Sequence, residues 1–256
     1  MAASICIEPD KGAVLFGPGV VARPHGLTPA PGDAPSQIRK FRAPGFRASC
    51  ASMIVSLTAE KLTCVRGDRP VFADLDFQVA AGEALVVEGA NGAGKTSLLR
   101  LIAGFLTPAS GGIVLNTDKG AIADGEERGR HIGWLGHHDA VKPQMDVGEQ
   151  LEFFARLYGV QSDVRPVLER VGIARQRELP CRYLSAGQKK RLGLARLLMS
   201  GRGLWLLDEP FAALDTAGRA LAADLMRAHC ATGGMVIAAT HDPLGLEARS
   251  LRLEAA

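Results

Sequence analysis

The run Gly89-Ala-Asn-Gly-Ala-Gly-Lys95-Thr96 constrains this chain more than any other stretch of it. It fits G-x-x-x-x-G-K-[ST] in the setting where that pattern has mechanical meaning. The short apolar stretch Leu85-Val86-Val87 precedes it, and a helix-compatible segment from Lys95 to about Ala103, stopped by Gly104, follows. A short, wholly apolar strand reads as one buried on both faces, and so as part of a parallel sheet. Glycines let successive backbone N–H groups curve around an anion without Cβ clashes, and the helix N-terminus behind them adds favourable partial charge. The chemistry that uses such a cradle is phosphate binding. Lys95 reaches the β- and γ-phosphates as a point charge, and Thr96 offers its hydroxyl to Mg²⁺. A glycine-rich turn with no ligand is the plainer alternative, and the strand before and helix after weigh against it.

Leu204-Trp-Leu-Leu-Asp208-Glu209 is a second apolar strand, ending in two carboxylates. Burying paired acids is costly without a cation or a task. Beside a phosphate loop, Asp208 fits the shell of Mg²⁺ and Glu209 fits the base that polarises an attacking water. A solvated Asp-Glu-Pro turn is what the pair suggests by itself. Leu184-Ser-Ala-Gly-Gln188 opens a helix that runs to Met199. Ser185 and Gln188 form an S-x-x-Q capping box, and the same N-terminus, with Gly187 for close approach, can also receive an anion.

Together these pieces resemble the ATP-binding cassette (ABC) family over residues 54 to about 248. The resemblance implies an α/β fold of the P-loop NTPase class, an ABC-type nucleotide-binding domain with an antiparallel β subdomain and an inserted helical subdomain. It makes Gly89, Ala90, Asn91, Gly92, Ala93, Gly94, Lys95, Thr96 and Ser97 the Walker A loop for ATP. It makes Leu184–Gln188 the signature, with LSAGQ for the usual LSGGQ, and Asp208-Glu209 the Walker B end. Thr96 and Asp208 then hold Mg²⁺. Ala213-Leu214-Asp215 looks like the D-loop, and His241, in Ala-Thr-His-Asp, like the switch histidine. In such proteins two copies pair head to tail, so Ser185, Gly187 and Gln188 of one copy would face the Walker A loop of the other, and Glu209 with His241 would drive hydrolysis.

Two positions depart from the general pattern. Where a glutamine is usual after the strand His131-Ile-Gly-Trp-Leu, the sequence reads Gly136-His137-His138, which puts His137 in the Q-loop slot as a third catalytic candidate. Arg66 occupies the place of the aromatic residue that stacks on adenine; guanidinium stacking and a solvated hairpin residue both remain open for it. These departures, with Lys142 and Leu-Trp-Leu-Leu-Asp-Glu-Pro-Phe, look like the ATP-binding subunits of bacterial cytochrome c maturation (haem exporter) systems. That narrower resemblance implies an integral membrane permease subunit, a haem-handling membrane protein and a periplasmic haem chaperone as partners, and a peripheral place on the cytoplasmic face of the inner membrane. An ATPase of another exporter, or a soluble cassette protein acting on ribosomes or DNA, is the alternative.

Composition agrees. The chain of 256 residues has 13 aromatics and 30 glycines, which suits one α/β domain with a core of Leu, Val, Ile and Ala. No apolar run approaches the roughly 20 residues that span a bilayer, and no basic-then-apolar leader opens the chain. Five scattered cysteines include no Cys-x-x-Cys pair, which favours unligated thiols. Residues 1–52 hold six basic and three acidic groups, so the remainder is neutral and shows no nucleic-acid footprint. Those 52 residues also carry seven of the 14 prolines and no period of 2 or 3.6. They read as a disordered or non-native extension, or, from the acid-free stretch Arg39–Arg47, as a transit peptide. The ordered domain is expected over 53–256, with the helical subdomain at about 137–190 and Asp146 with Glu149 capping a helix inside it. The Lys189-Lys190-Arg191 run is expected to be a solvated helix face.

Overall fold

The computed structural model describes residues 53–67, 69–136 and 140–254. The chain opens as a long hairpin, β1 (Ile54–Arg66) and β2 (Arg69–Ala80), and passes through β3 (Ala84–Glu88) and α1 (Lys95–Ile102). β4 (Ser110–Thr117), β5 (Gly120–Ile122), the short helix α2 (Gly125–Gly129) and β6 (Ile132–Leu135) follow. Three helices, α3 (Val147–Leu157), α4 (Arg165–Arg170) and α5 (Ala186–Ser200), precede β7 (Leu204–Asp208), α6 (Thr216–Ala231), β8 (Met235–Ala239) and β9 (Arg249–Arg252). The proline-rich residues 1–52 and His137 lie outside the described residues.

Two sheets result. The antiparallel one has the order β2-β1-β4-β5, and the parallel one β6-β7-β8-β3-β9. Period-2 alternation explains why the central parallel strands read as continuously apolar. On β7, Leu204 and Leu206 enter one core while Trp205 and Leu207 enter the other; on β8, Met235, Ile237 and Ala239 alternate in the same way with Val236 and Ala238. The first core lies between the two sheets and encloses α1, four of whose eight residues (Leu98, Leu99, Leu101, Ile102) are fully buried. At about 1.5–3 kcal/mol per large apolar side chain, that burial fixes α1 far more firmly than its helix propensity does. The second core joins the other face of the parallel sheet to α3, α5 and α6. An antiparallel sheet, a parallel sheet and helices inserted between its strands are what the sequence leads one to expect.

Local signals set the boundaries. On β2, buried Leu75, Phe77 and Val79 alternate with exposed Asp76 and Gln78, the period of a half-buried strand. α1 stops at Ile102, with Ala103 as its cap and Gly104 in the left-handed region at φ 78. α6 begins only at Thr216, because Asp215 is its N-cap and accepts from the Gly218 N–H at 2.8 Å. The Asp146–Glu149 capping box of α3 is formed.

Candidate nucleotide site

The parallel order gathers three loops at one edge of the sheet, those leaving β3, β7 and β8. Gly89, Gly92 and Gly94, after β3, have φ of 151, 87 and 100, all in the left-handed region. Space as well as conformation requires glycine at two of them. A Cβ on Gly94 would stand 2.5 Å from Cγ1 of Val71 on β2, and one on Gly89 would stand 2.6 Å from the Leu253 carbonyl oxygen. Gly94 is also the N-cap of α1, which has no side-chain cap. The Gly94, Lys95 and Thr96 N–H groups therefore have no acceptor among the described residues and are left for an anion.

Lys95 folds its ammonium over this loop. Nζ donates to the carbonyls of Gly89 at 2.6 Å and Ala90 at 3.1 Å, and lies 3.2 Å from Nε2 of His241, beyond β8. A lysine has three donors, and these three contacts use them. Two of the partners are neutral carbonyls, and a phosphate oxygen competes with them for the ammonium because it adds a negative charge at the accepting end. The cradle thus fits a nucleotide phosphate chain.

Thr96 Oγ1 donates to Asp208 Oδ2 at 3.0 Å, joining the start of α1 to the end of β7. Asp208 is 6% exposed, and the two hard oxygens suit Mg²⁺. Glu209 is half-buried rather than enclosed with its neighbour, which corrects the picture of two buried acids. Its backbone is left-handed at φ 50, and its N–H donates to the Ala239 carbonyl at 2.9 Å. That conformation costs a non-glycine residue on the order of 1 kcal/mol and persists where neighbours over-determine it. Here β8 holds it, so the chain leaves the strand at the carboxylate.

Ser185 caps α5 as its spacing predicts. Its Oγ accepts from the Gln188 N–H at 3.2 Å, and Gln188 Oε1 accepts from the Ser185 N–H at 2.9 Å. A Cβ on Gly187 would lie 2.8 Å from the carbonyl oxygen of Ala213, itself at φ 62. The first turn of α5 therefore leans on the loop between Glu209 and α6. Arg191 tightens this contact, donating to Asp215 Oδ1 at 3.2 Å and to the Val171 carbonyl at 3.1 Å. The Gly218 N–H and then Arg191 hold the Asp215 carboxyl below its usual range.

The Lys189–Arg191 run is not a solvated face: Lys190 is 3% exposed, and Arg191 bridges α4, α5 and the start of α6. Its apolar neighbours Leu192 and Leu194 carried the only sequence hint of burial. Arg66 ends β1 exposed, opposite Arg69, with no hydrogen bond to the glycine loop. Arg128, buried beneath the far end of α1, is a residue that sequence reasoning missed.

This geometry defines a P-loop ATPase domain, and the chain belongs to the ABC transporter family, whose model matches residues 72–212. Among curated proteins it is similar to "Cytochrome c biogenesis ATP-binding export protein CcmA" of Rhodopseudomonas palustris strain HaA2, at 49% identity over 201 residues, covering 78% of this chain and 98% of that protein. The protein of that name from Paramagnetospirillum magneticum is 46% identical, with 78% and 94% covered. Among solved structures, a putative ABC transporter ATP-binding protein from Pyrococcus furiosus superposes with a TM-score of 0.67 at 25% identity, over 77% of this chain and 97% of that one. A bacterial Atm1-family ABC exporter solved with ATP bound gives 0.69 at 24% identity, over 80% and 38%, a likeness of fold.

Proposed function

We propose that this chain is the ATP-hydrolysing subunit of a membrane ABC transporter complex for c-type cytochrome biogenesis, working in haem export or in release of a haem-loaded chaperone. The observation that carries the reading is the 49% identity along 98% of a protein named as an ATP-binding export protein of cytochrome c biogenesis. Residues 53–256 form its ATPase domain, residues about 137–190 the helical subdomain, and residues 1–52 an extension that the domain does not need.

In this reading the N–H groups of the Gly89–Ser97 segment and the Lys95 ammonium bind the phosphates of ATP. Thr96 and Asp208 would hold Mg²⁺, which would supply neutralisation of the phosphate charge. Glu209, at the mouth of the site, takes a proton from the attacking water, and His241 orients the γ-phosphate end. Arg66 stacks on the adenine.

Ser185 and Gln188 make their cap bonds within their own copy, and with Gly187 they serve as an anion-binding N-terminus toward a second copy paired head to tail. ATP then holds the pair closed, and its hydrolysis lets the pair open. No helix among the described residues is long and apolar enough to cross a membrane. In this reading a separate integral permease supplies the spans, and the chain sits peripherally on the cytoplasmic face of the inner membrane. His137 and the helical subdomain pass the motion to that permease, and a haem-handling membrane protein and a periplasmic haem chaperone act downstream; nucleic acid has no part.

The test is genetic. A bacterium whose chromosomal copy is replaced by Lys95→Ala should lose haem-stained c-type cytochromes while cytoplasmic haem proteins stay normal. Normal c-type cytochromes, with the variant shown to be present and inactive, would exclude the role.

A further inference from the structure

Arg128 lies in a run of charges, yet it is only 4% exposed. Its guanidinium meets four main-chain carbonyls. Nε donates to Ile102 at 2.9 Å, Nη2 to Leu101 at 3.2 Å, and Nη1 to Ile113 at 3.2 Å and Ala123 at 2.8 Å. Leu101 and Ile102 are the last two residues of α1, the helix whose first turn builds the phosphate cradle, and Ile113 belongs to β4. Removing a guanidinium from water is costly unless both its donors and its charge are answered. Here four of five N–H groups are bonded. The charge faces the negative end of the α1 dipole, with Asp124 close enough to act on it.

A second contact closes the same joint. A Cβ on Gly104 would stand 2.4 Å from the Gly125 carbonyl oxygen, and one on Gly125 would stand 3.2 Å from Cα of Gly104. The start of α2 thus touches the backbone just after α1, with no side chain between them, which brings Arg128 within reach of the helix end. α1 has eight residues and is roughly 12 Å long. So short a helix, with its inner face locked in the core, moves as a rod, and a shift at its rear reaches its front.

We propose that Arg128 is a positioning residue for the nucleotide site. It ties the rear of α1 to β4 and so sets the depth at which Gly94, Lys95 and Thr96 present their N–H groups to phosphate. This rests on the reading that the glycine loop binds nucleotide. Lysine cannot replace Arg128, because a compact ammonium with three donors does not span four carbonyls as the planar fork does.

The experiment measures ATP dissociation constants by titration calorimetry, and kcat with KM, on the full chain at a temperature where each variant matches the parent in circular dichroism. Arg128→Lys should raise Kd and KM about tenfold with kcat changed less than about threefold, since Glu209 and His241 are carried by the segments after β7 and β8 and not by α1. Gly125→Ala, which leaves Arg128 intact but presses α2 off Gly104, should raise KM about threefold. A lower melting temperature with unchanged Kd and KM in both variants overturns the proposal. If Arg128→Lys does not fold, Gly125→Ala decides by the same criterion. Lys95→Ala separates the two ideas: if it leaves Kd unchanged the nucleotide reading itself falls, and if it alone weakens binding only the positioning role falls.

Discussion

The ammonium of Lys95 and Nε2 of His241 lie 3.2 Å apart, although 146 positions separate them in the chain. An ammonium only donates, so Nε2 accepts, and a neutral His241 must carry its proton on Nδ1. In the proposed reading the same ammonium is offered to phosphate, so ATP should draw it away from the imidazole. Nitrogen-15 NMR of His241 is expected to show the Nδ1–H tautomer without nucleotide and a changed signal with Mg-ATP. His241→Ala should keep ATP affinity within about threefold while turnover falls by at least ~10². Turnover near that of the parent would remove His241 from the catalytic set.

Glu209 offers a second measurement. Glu209→Gln keeps the shape of the side chain and removes its basicity. It should bind ATP normally, lose hydrolysis by at least ~10², and accumulate as a dimer on gel filtration with ATP. A variant that hydrolyses within a few-fold of the parent would place the base elsewhere.

His229 makes stability depend on pH at the far end of the parallel sheet. Its ring stacks on Trp205 with centroids 4.0 Å apart and planes 8° off parallel, and Nε2 lies 2.9 Å from the Gly203 carbonyl. Burial pushes its pKa down to about 4. The unfolded chain takes up this proton near its ordinary value of about 6.5. The stabilising contribution is therefore complete above that pH and is lost as pH falls toward about 4. Between about pH 7.5 and about pH 5 the loss is about 2 kcal/mol. His229→Phe, which keeps the stack, should lack this share of the decline in urea unfolding curves. Identical slopes for parent and variant would show that His229 titrates normally when folded.

The N-terminal extension carries a simpler expectation. Residues 1–52 carry seven of the 14 prolines and no apolar period with which to join a core, so deleting them should move the melting temperature by no more than about 2 °C and leave ATP affinity intact. A large drop on deletion would show that the extension packs against the domain.

What could be read in advance was whatever depends on neighbours in sequence. The glycine spacing of the cradle, the Ser185–Gln188 and Asp146–Glu149 boxes and the alternation on β2 all act within a few residues, so their spacing reveals them. Arg128 was hidden because its four acceptors come from α1, β4 and the loop after β5. In sequence it is one cation in Glu126-Glu127-Arg128-Gly129-Arg130. The Arg191–Asp215 link and the His229–Trp205 stack join positions 24 apart, through folding alone. The left-handed backbone of Glu209 is likewise imposed by Ala239 on the neighbouring strand, and no residue preference announces it.

The place of β3 in the sheet has a consequence for synthesis. This strand carries the phosphate loop, yet its two neighbours are β8 and β9, which pair with it through residues 236–239 and 249–252. On the ribosome the loop emerges with no flanking strand until nearly the whole chain has been made. The antiparallel sheet, by contrast, is complete once residue 122 is out. Long-range parallel pairing is slow to form even in a finished chain. A nascent copy that ends before Met235 lacks both neighbours of β3 and the part of the first core that β8 and β9 supply, so the glycine loop gains its lateral support only as the last strands are made.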